Sequence, residues 1–112
     1  MTYMHNYLRN DVILVRYPFT DLSGSKVRPA VIVSVPHISE DLFVVPLTSN
    51  TTSLLDGEFV LVNWKDARLN VPTTVKRGIY TVNSGLIIKK VGEISDSDVK
   101  NLEDSLRVWL GS

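Results

Sequence analysis

The sequence predicts a mainly β fold, a small open barrel of the SH3-like kind with one C-terminal α-helix packed on it. Three observations carry this. Short, β-branched apolar runs recur along the chain, separated by proline, glycine and polar loops, as short strands are. Only the last stretch changes period: Val99, Leu102, Leu106, Trp109 and Leu110 fall on one helical stripe. The chain is also short, 112 residues of which 44% are hydrophobic. That supplies one core, and the lone helix needs a bent sheet to cover more than it needs a sandwich.

Each element has its own signal. Asp11 to Tyr17 (DVILVRY) alternates poorly but is β-branched and apolar, as a strand buried on both faces should be. Pro18 and a polar loop end it. Val27 to Val35 is the second strand, with Pro29 near its start, where a missing N–H costs least, and Pro36 as its stop. Leu42 to Thr48 is the third, and Pro46 within it predicts an edge or a bulge. Gly57 to Asn63 reads as a fourth strand, and the stretch from Trp64 to Thr73 as irregular with at most one helical turn. Thr74 to Val82 and Leu86 to Val91 read as two strands joined in a hairpin at Asn83-Ser84-Gly85, residues that tolerate positive φ. Ser95 then caps the helix, with Asp98 in the acidic slot of a capping box and Gly111 as the stop.

Composition excludes several classes. No apolar run approaches 18 residues, the N-terminus lacks the layout of a signal peptide, and residues 1–9 are expected to be a flexible lead into a single domain spanning 1–112. Cysteine is absent, which removes disulfides and thiolate metal sites and suits a reducing, cytoplasmic setting. Two histidines far apart, His5 and His37, make a zinc site improbable, and His37 reads as a polar loop residue. Net charge is zero but uneven: the first 92 residues carry ten Lys/Arg against seven Asp/Glu, the last twenty only two against five. A basic face opposite an acidic helix is compatible with that balance, and so are ordinary solvated side chains.

The usual enzyme constellations are missing. There is no glycine-rich phosphate loop, no serine elbow and no carboxylate pair spaced for glycosidase work. What remains is a set of strand-end residues: Arg28 opening the second strand, Thr48 closing the third, Lys76 and Arg77 on the fifth. If strands two and three are antiparallel neighbours, Arg28 and Thr48 share one rim. A guanidinium beside a hydroxyl is a good phosphate receptor, because its donors match the oxygen spacing and its charge is permanent. Lys26, Lys76 and Arg77 are further candidates to bind an anion, and Phe19, beside the first loop with Tyr17, is a candidate to stack on a flat ligand. Each also has a plain reading as a surface charge or loop anchor.

These residues also carry a resemblance. The order NDVILV, a polar loop, VRPAVIVS, VVPLTS, a closing strand pair and a helix, from about Arg9 to Leu110, is similar to the MazF/PemK family of toxins. The resemblance implies an SH3-like barrel, a homodimer, a cognate antitoxin as partner, and metal-independent, cofactor-free cutting of single-stranded RNA (an mRNA interferase activity) through the 2′-hydroxyl. It places the catalytic arginine on Arg28, to stabilise the charged phosphorus, and the catalytic threonine on Thr48, to hold an oxygen or orient the nucleophile. Lys76 matches a basic position of the family. Two departures stand out: the stretch KRGIYT has Gly78 near the place of a family carboxylate, which leaves the general base unassigned, and Asn10 replaces a family glycine. The rival readings are a non-catalytic toxin similar to CcdB, acting on DNA gyrase through its C-terminal residues RVWLGS, and a decayed toxin that only binds.

Overall fold

The computed structural model describes residues 7–17 and 26–111. Among these, seven strands and one helix follow in order: β1 (Asp11–Tyr17), β2 (Lys26–Ile32), β3 (Asp41–Thr48), β4 (Phe59–Val60), β5 (Thr74–Val75), β6 (Tyr80–Asn83), β7 (Ile87–Glu93) and α1 (Asp96–Leu110). All pairings are antiparallel, in the spatial order β4-β5-β3-β2-β1-β7, with β6 also against β3. The sheet is not closed, so the architecture is the expected open one with a C-terminal helix.

The poor alternation of the central strands has a direct cause: both faces are covered. One cluster gathers Val12, Val31, Val45, Leu47 and Leu61 under the helix residues Val99, Leu102, Leu106 and Trp109. The other gathers Ile13, Val15, Ala30, Ile32, Leu42 and Val44 on the opposite face, beneath Tyr7, Leu86 and Ile87. Neighbouring residues thus face opposite ways and are still all buried, so no polar alternation is left in the sequence. Each fully buried Ile or Leu contributes about 1.5–3 kcal/mol.

Helix α1 begins and ends as its sequence requires. Ser95 Oγ accepts from the Asp98 N–H, and Gly111 closes the helix in the left-handed region. Asp98 goes beyond the capping box. It is wholly buried, and its two carboxylate oxygens accept from the backbone N–H groups of Val62 (2.8 Å) and Asn63 (3.0 Å). The predicted stripe holds except at Leu110, which is 66% exposed. At the far end Trp109 Nε1 donates to Asp56 O at 2.9 Å, and its indole lies against Gly57, whose φ is +83°. A Cβ on Gly57 would meet Trp109 Nε1 at 2.4 Å.

Several expected boundaries are corrected. The fourth strand shrinks from 57–63 to Phe59–Val60, because the Val62 and Asn63 N–H groups are taken by Asp98 and Leu61 N donates to Thr73 O. The expected strand Thr74 to Val82 is two pieces, both running along β3. Between Leu47↔Val75 and Val44↔Tyr80 it holds two residues more than β3 does, a bulge opposite Pro46. Pro46 therefore marks a bulge in the partner of a central strand, not an edge strand. The expected hairpin at Asn83-Ser84-Gly85 is a 3-10 turn (Ser84–Leu86) after which β7 pairs with β1, while β6 stays with β3. Asn83 Oδ1 accepts from Gly85 N without any positive φ.

Of the expected flexible lead, residues 1–6 lie outside the described residues, whereas 7–9 are tied down. Leu8 N donates to the buried Asp11 carboxylate, which also pairs with Lys90 at 3.2 Å, and Arg9 reaches Glu103 at 3.9 Å. Asn10 sits between them at φ +77°, donating to Ile32 O and accepting from Ile94 N. The glycine-for-asparagine departure is thus a conservative one, since Asn tolerates the left-handed region better than other side chains.

Candidate active site

The β2–β3 ladder ends at Ala30↔Pro46, and Arg28 and Thr48 each lie two residues beyond that last pair. Alternation puts both on one face of the sheet. They border a cleft of about 640 Å³ to which the sheet contributes Arg28, Pro29, Pro46 and Thr48. The bulge after β5 adds Lys76, and β6 adds Tyr80. The irregular segment 64–73 supplies the remaining wall through Leu69, Asn70 and Val71.

Arg28 is exposed and makes no ion pair or hydrogen bond with any described residue. Its backbone is paired to Val15 of β1, and Pro29 behind it restricts it to extended geometry. Pro29 is the fourth residue of β2, a central strand, and pairs with Leu14 of β1, so the expected edge or first-residue position is corrected; the β2–β3 ladder begins one residue later, at Ala30. Thr48 is half-buried, and its Oγ1 accepts from Asn50 N at 3.2 Å. The backbone thereby engages one lone pair of the hydroxyl, whose proton stays free to rotate toward a ligand. Lys76 is held by its own N–H, which donates to Pro46 O at 2.9 Å.

The other expected contacts divide. Lys76 and Arg77 follow β5 instead of lying on it, and the bulge sends them to different places. Arg77 lines a second groove with Leu54, Leu55, Asp56, Val108 and Trp109. Lys26, exposed at the start of β2, does not line the cleft. Phe19 lies outside the described residues. His37 is a loop residue whose Nδ1 accepts from Ser39 N, in line with its plain reading.

No carboxylate of the described residues borders the cleft. Glu58 lies behind the bulge, and its oxygens accept from Leu55 N and Arg77 N, both at 2.8 Å. These backbone bonds hold its carboxyl below the ordinary value, against the opposing effect of burial and with a lesser contribution from the charges of Lys76 and Arg77. Glu58 is thereby a fastener for the bulge and lines neither groove. At Gly78, where a carboxylate was sought, φ is +147° and a Cβ would come within 3.0 Å of the Tyr80 ring. Sequence reasoning missed Tyr80 and the segment 69–71. Tyr80 stands in the very stretch KRGIYT, but nothing local says that the bulge turns it to the cleft.

The fold is an open antiparallel sheet with a capping helix, and its cleft is bordered by a guanidinium, an ammonium and a hydroxyl, groups that match the oxygens of a phosphate. The family of PemK-like, MazF-like toxins of type II toxin–antitoxin systems matches residues 8–110, and the chain belongs to it. Comparison with curated protein sequences returns no match. Among solved structures, the chain is similar to an endoribonuclease in complex with its cognate antitoxin from a Mycobacterial species: TM-score 0.75, 22% identity, covering 95% of this chain and 96% of that one. It is also similar to the Mycobacterium tuberculosis toxin MazF-mt6, with TM-score 0.69, 21% identity and coverages of 90% and 96%. The MazE–MazF complex from Deinococcus radiodurans gives TM-score 0.75 at 14% identity, covering 96% and 98%.

Proposed function

We propose that this chain is the toxin of a type II toxin–antitoxin pair and an endoribonuclease that cuts single-stranded RNA through the RNA's own 2′-hydroxyl, without a metal. The observation that carries this is that Arg28, Lys76 and Thr48 border one cleft. Family membership supports it, as does the likeness to endoribonucleases. In this reading the 2′-oxygen attacks phosphorus, the P–O5′ bond breaks, and a 2′,3′-cyclic phosphate and a 5′-hydroxyl result. Arg28 binds two oxygens of the pentacoordinate phosphorus, where negative charge grows, and Thr48 donates to a non-bridging oxygen. Lys76 neutralises a neighbouring phosphate. The reading assigns these three to charge and orientation, and none of them to the base that takes the 2′-proton.

Among the described residues no three of His, Cys, Asp or Glu gather as a metal site. A cytoplasmic homodimer held in check by an antitoxin completes the reading. The gyrase-poison alternative leans on the C-terminal residues. There Trp109 is half-buried and engaged with Asp56 O and Gly57, while Val108 and Leu110 on either side of it are exposed. The test is incubation of the purified chain with a long RNA in EDTA, followed by mapping of the ends. Cuts leaving cyclic phosphates and 5′-hydroxyls are expected; strict dependence on magnesium, or no cuts at all, overturns the proposal.

A further inference from the structure

The cleft is chemically two-sided. Its cationic side accounts for a phosphate, but a phosphate has no use for the apolar wall that Leu69, Val71 and the Tyr80 ring add to the same space. That wall suits the flat face of an unpaired nucleobase, which single-strand-binding proteins hold between apolar and aromatic side chains. Set in the wall is one amide, Asn70. It is exposed, borders the cleft, and makes no hydrogen bond with any described residue. An Asn amide offers a donor and an acceptor side by side, the pattern that reads a base edge.

The support beneath Asn70 is unusually firm for an irregular segment. Leu69 N donates to Trp64 O at 3.1 Å and Arg68 N to Lys65 O at 2.9 Å, with Arg68 itself in the left-handed region at φ +64°. On the other side Thr73 Oγ1 donates to Val71 O at 2.8 Å, and Leu61 N to Thr73 O at 2.8 Å. Beneath the turn, Gly92 of β7 approaches so closely that a Cβ there would come within 2.4 Å of Ala67 O. A non-glycine residue in the left-handed region costs about 1–3 kcal/mol and persists only where its surroundings impose it. Here that conformation reverses the chain so that 69–71 face the cleft.

We infer that Asn70 is the specificity-determining residue of this cleft, reading the edge of the nucleobase beside the phosphate held by Arg28, while Leu69, Val71 and Tyr80 grip its faces. The inference rests on the ribonuclease reading for its substrate. It is tested with an RNA library randomised around a fixed cut site, comparing the parent with Asn70→Leu, which keeps the volume and removes the amide, and Asn70→Ala.

The expected result is a parent preference at one nucleotide next to the cut that falls about tenfold or more in both variants. The loss should fall on the sequences the parent prefers, the disfavoured ones changing less, and the melting temperature should not change. A parent without any preference, variants with the parent's preference, or a uniform loss of cutting on all sequences overturns the inference. If the parent cuts nothing, the ribonuclease reading fails instead. The same library partitioned by binding then decides for Asn70: a bound-base preference lost in both variants upholds its role, and none to lose overturns it.

Discussion

At Arg28 the chain sets a proline directly behind a guanidinium that has no partner among the described residues, and Pro29 narrows the directions in which that charge can leave the strand. A charge held in place before the reaction costs nothing to reorganise during it, which is why a preorganised donor is worth about a hundredfold or more in rate. Arg28→Ala should therefore lower RNA cutting at least about a hundredfold, on the order of 3 kcal/mol, with melting temperature unchanged. Arg28→Lys should restore little, because one ammonium cannot span two phosphate oxygens. A mutant that cuts like its parent would remove the anchor of the ribonuclease reading, and one that unfolds would make Arg28 a structural residue. Arg28 and Thr48 were legible in the sequence because both sit at strand ends punctuated by prolines, where an antiparallel register alone brings them together. Asn70 and Tyr80 were not. What turns them to the cleft is a left-handed Arg68 and a two-residue bulge, neither of which has a sequence signature.

Among the elements, the long apolar strands and the capped helix could be read because their signals are local and strong. The short ones could not, because they are defined by their partners. Asn83-Ser84-Gly85 does signal a bend, but whether a bend makes a hairpin depends on what the flanking strands pair with, and here those are β3 and β1. The fourth strand ends early for a similar reason, since a carboxylate 36 residues away takes the Val62 N–H. Asp98 thus joins α1 to the sheet margin, and its removal strands two N–H groups against the core. Asp98→Ala should cost about 3 kcal/mol, read as a lower urea midpoint with unchanged slope. A midpoint like the parent's would mean that water replaces the carboxylate freely. Glu58 offers a pH-dependent counterpart. Its carboxyl value is lowered on folding, so the unfolded chain binds its proton more readily. Its stabilisation is complete above the ordinary value of 4.5 and is lost as pH falls below it toward the lowered one. Glu58→Gln should therefore melt lower than the parent at neutral pH, with the gap closing in acid. A gap that is constant with pH would contradict this.

For the molecule as a whole, the question is which surface makes the proposed homodimer. Two kinds of surface are open to it, strand edges and the apolar surroundings of the helix, and they differ. The outer edge of β7 carries Lys89 and Lys90, charges that natural sheets place on edges to prevent further pairing. At the other end β4 is two residues long, too short to template a partner. The groove at the end of α1 is different: Leu55 and Val108 are each 61% exposed there, beside Leu54, with Leu110 at 66% just beyond. Contiguous apolar surface of this kind, rimmed here by Asp56 and Arg77, is what marks a subunit contact on a soluble protein. The chain should scatter light as a dimer at micromolar concentration. Leu55→Asp combined with Val108→Asp should make it monomeric with little change in the sheet, since both side chains already stand in water in the single chain. A parent that is monomeric under these conditions contradicts the dimer itself. A doubly substituted chain that stays dimeric moves the contact away from the helix end and toward the face of the sheet on which Tyr7, Leu86 and Ile87 pack.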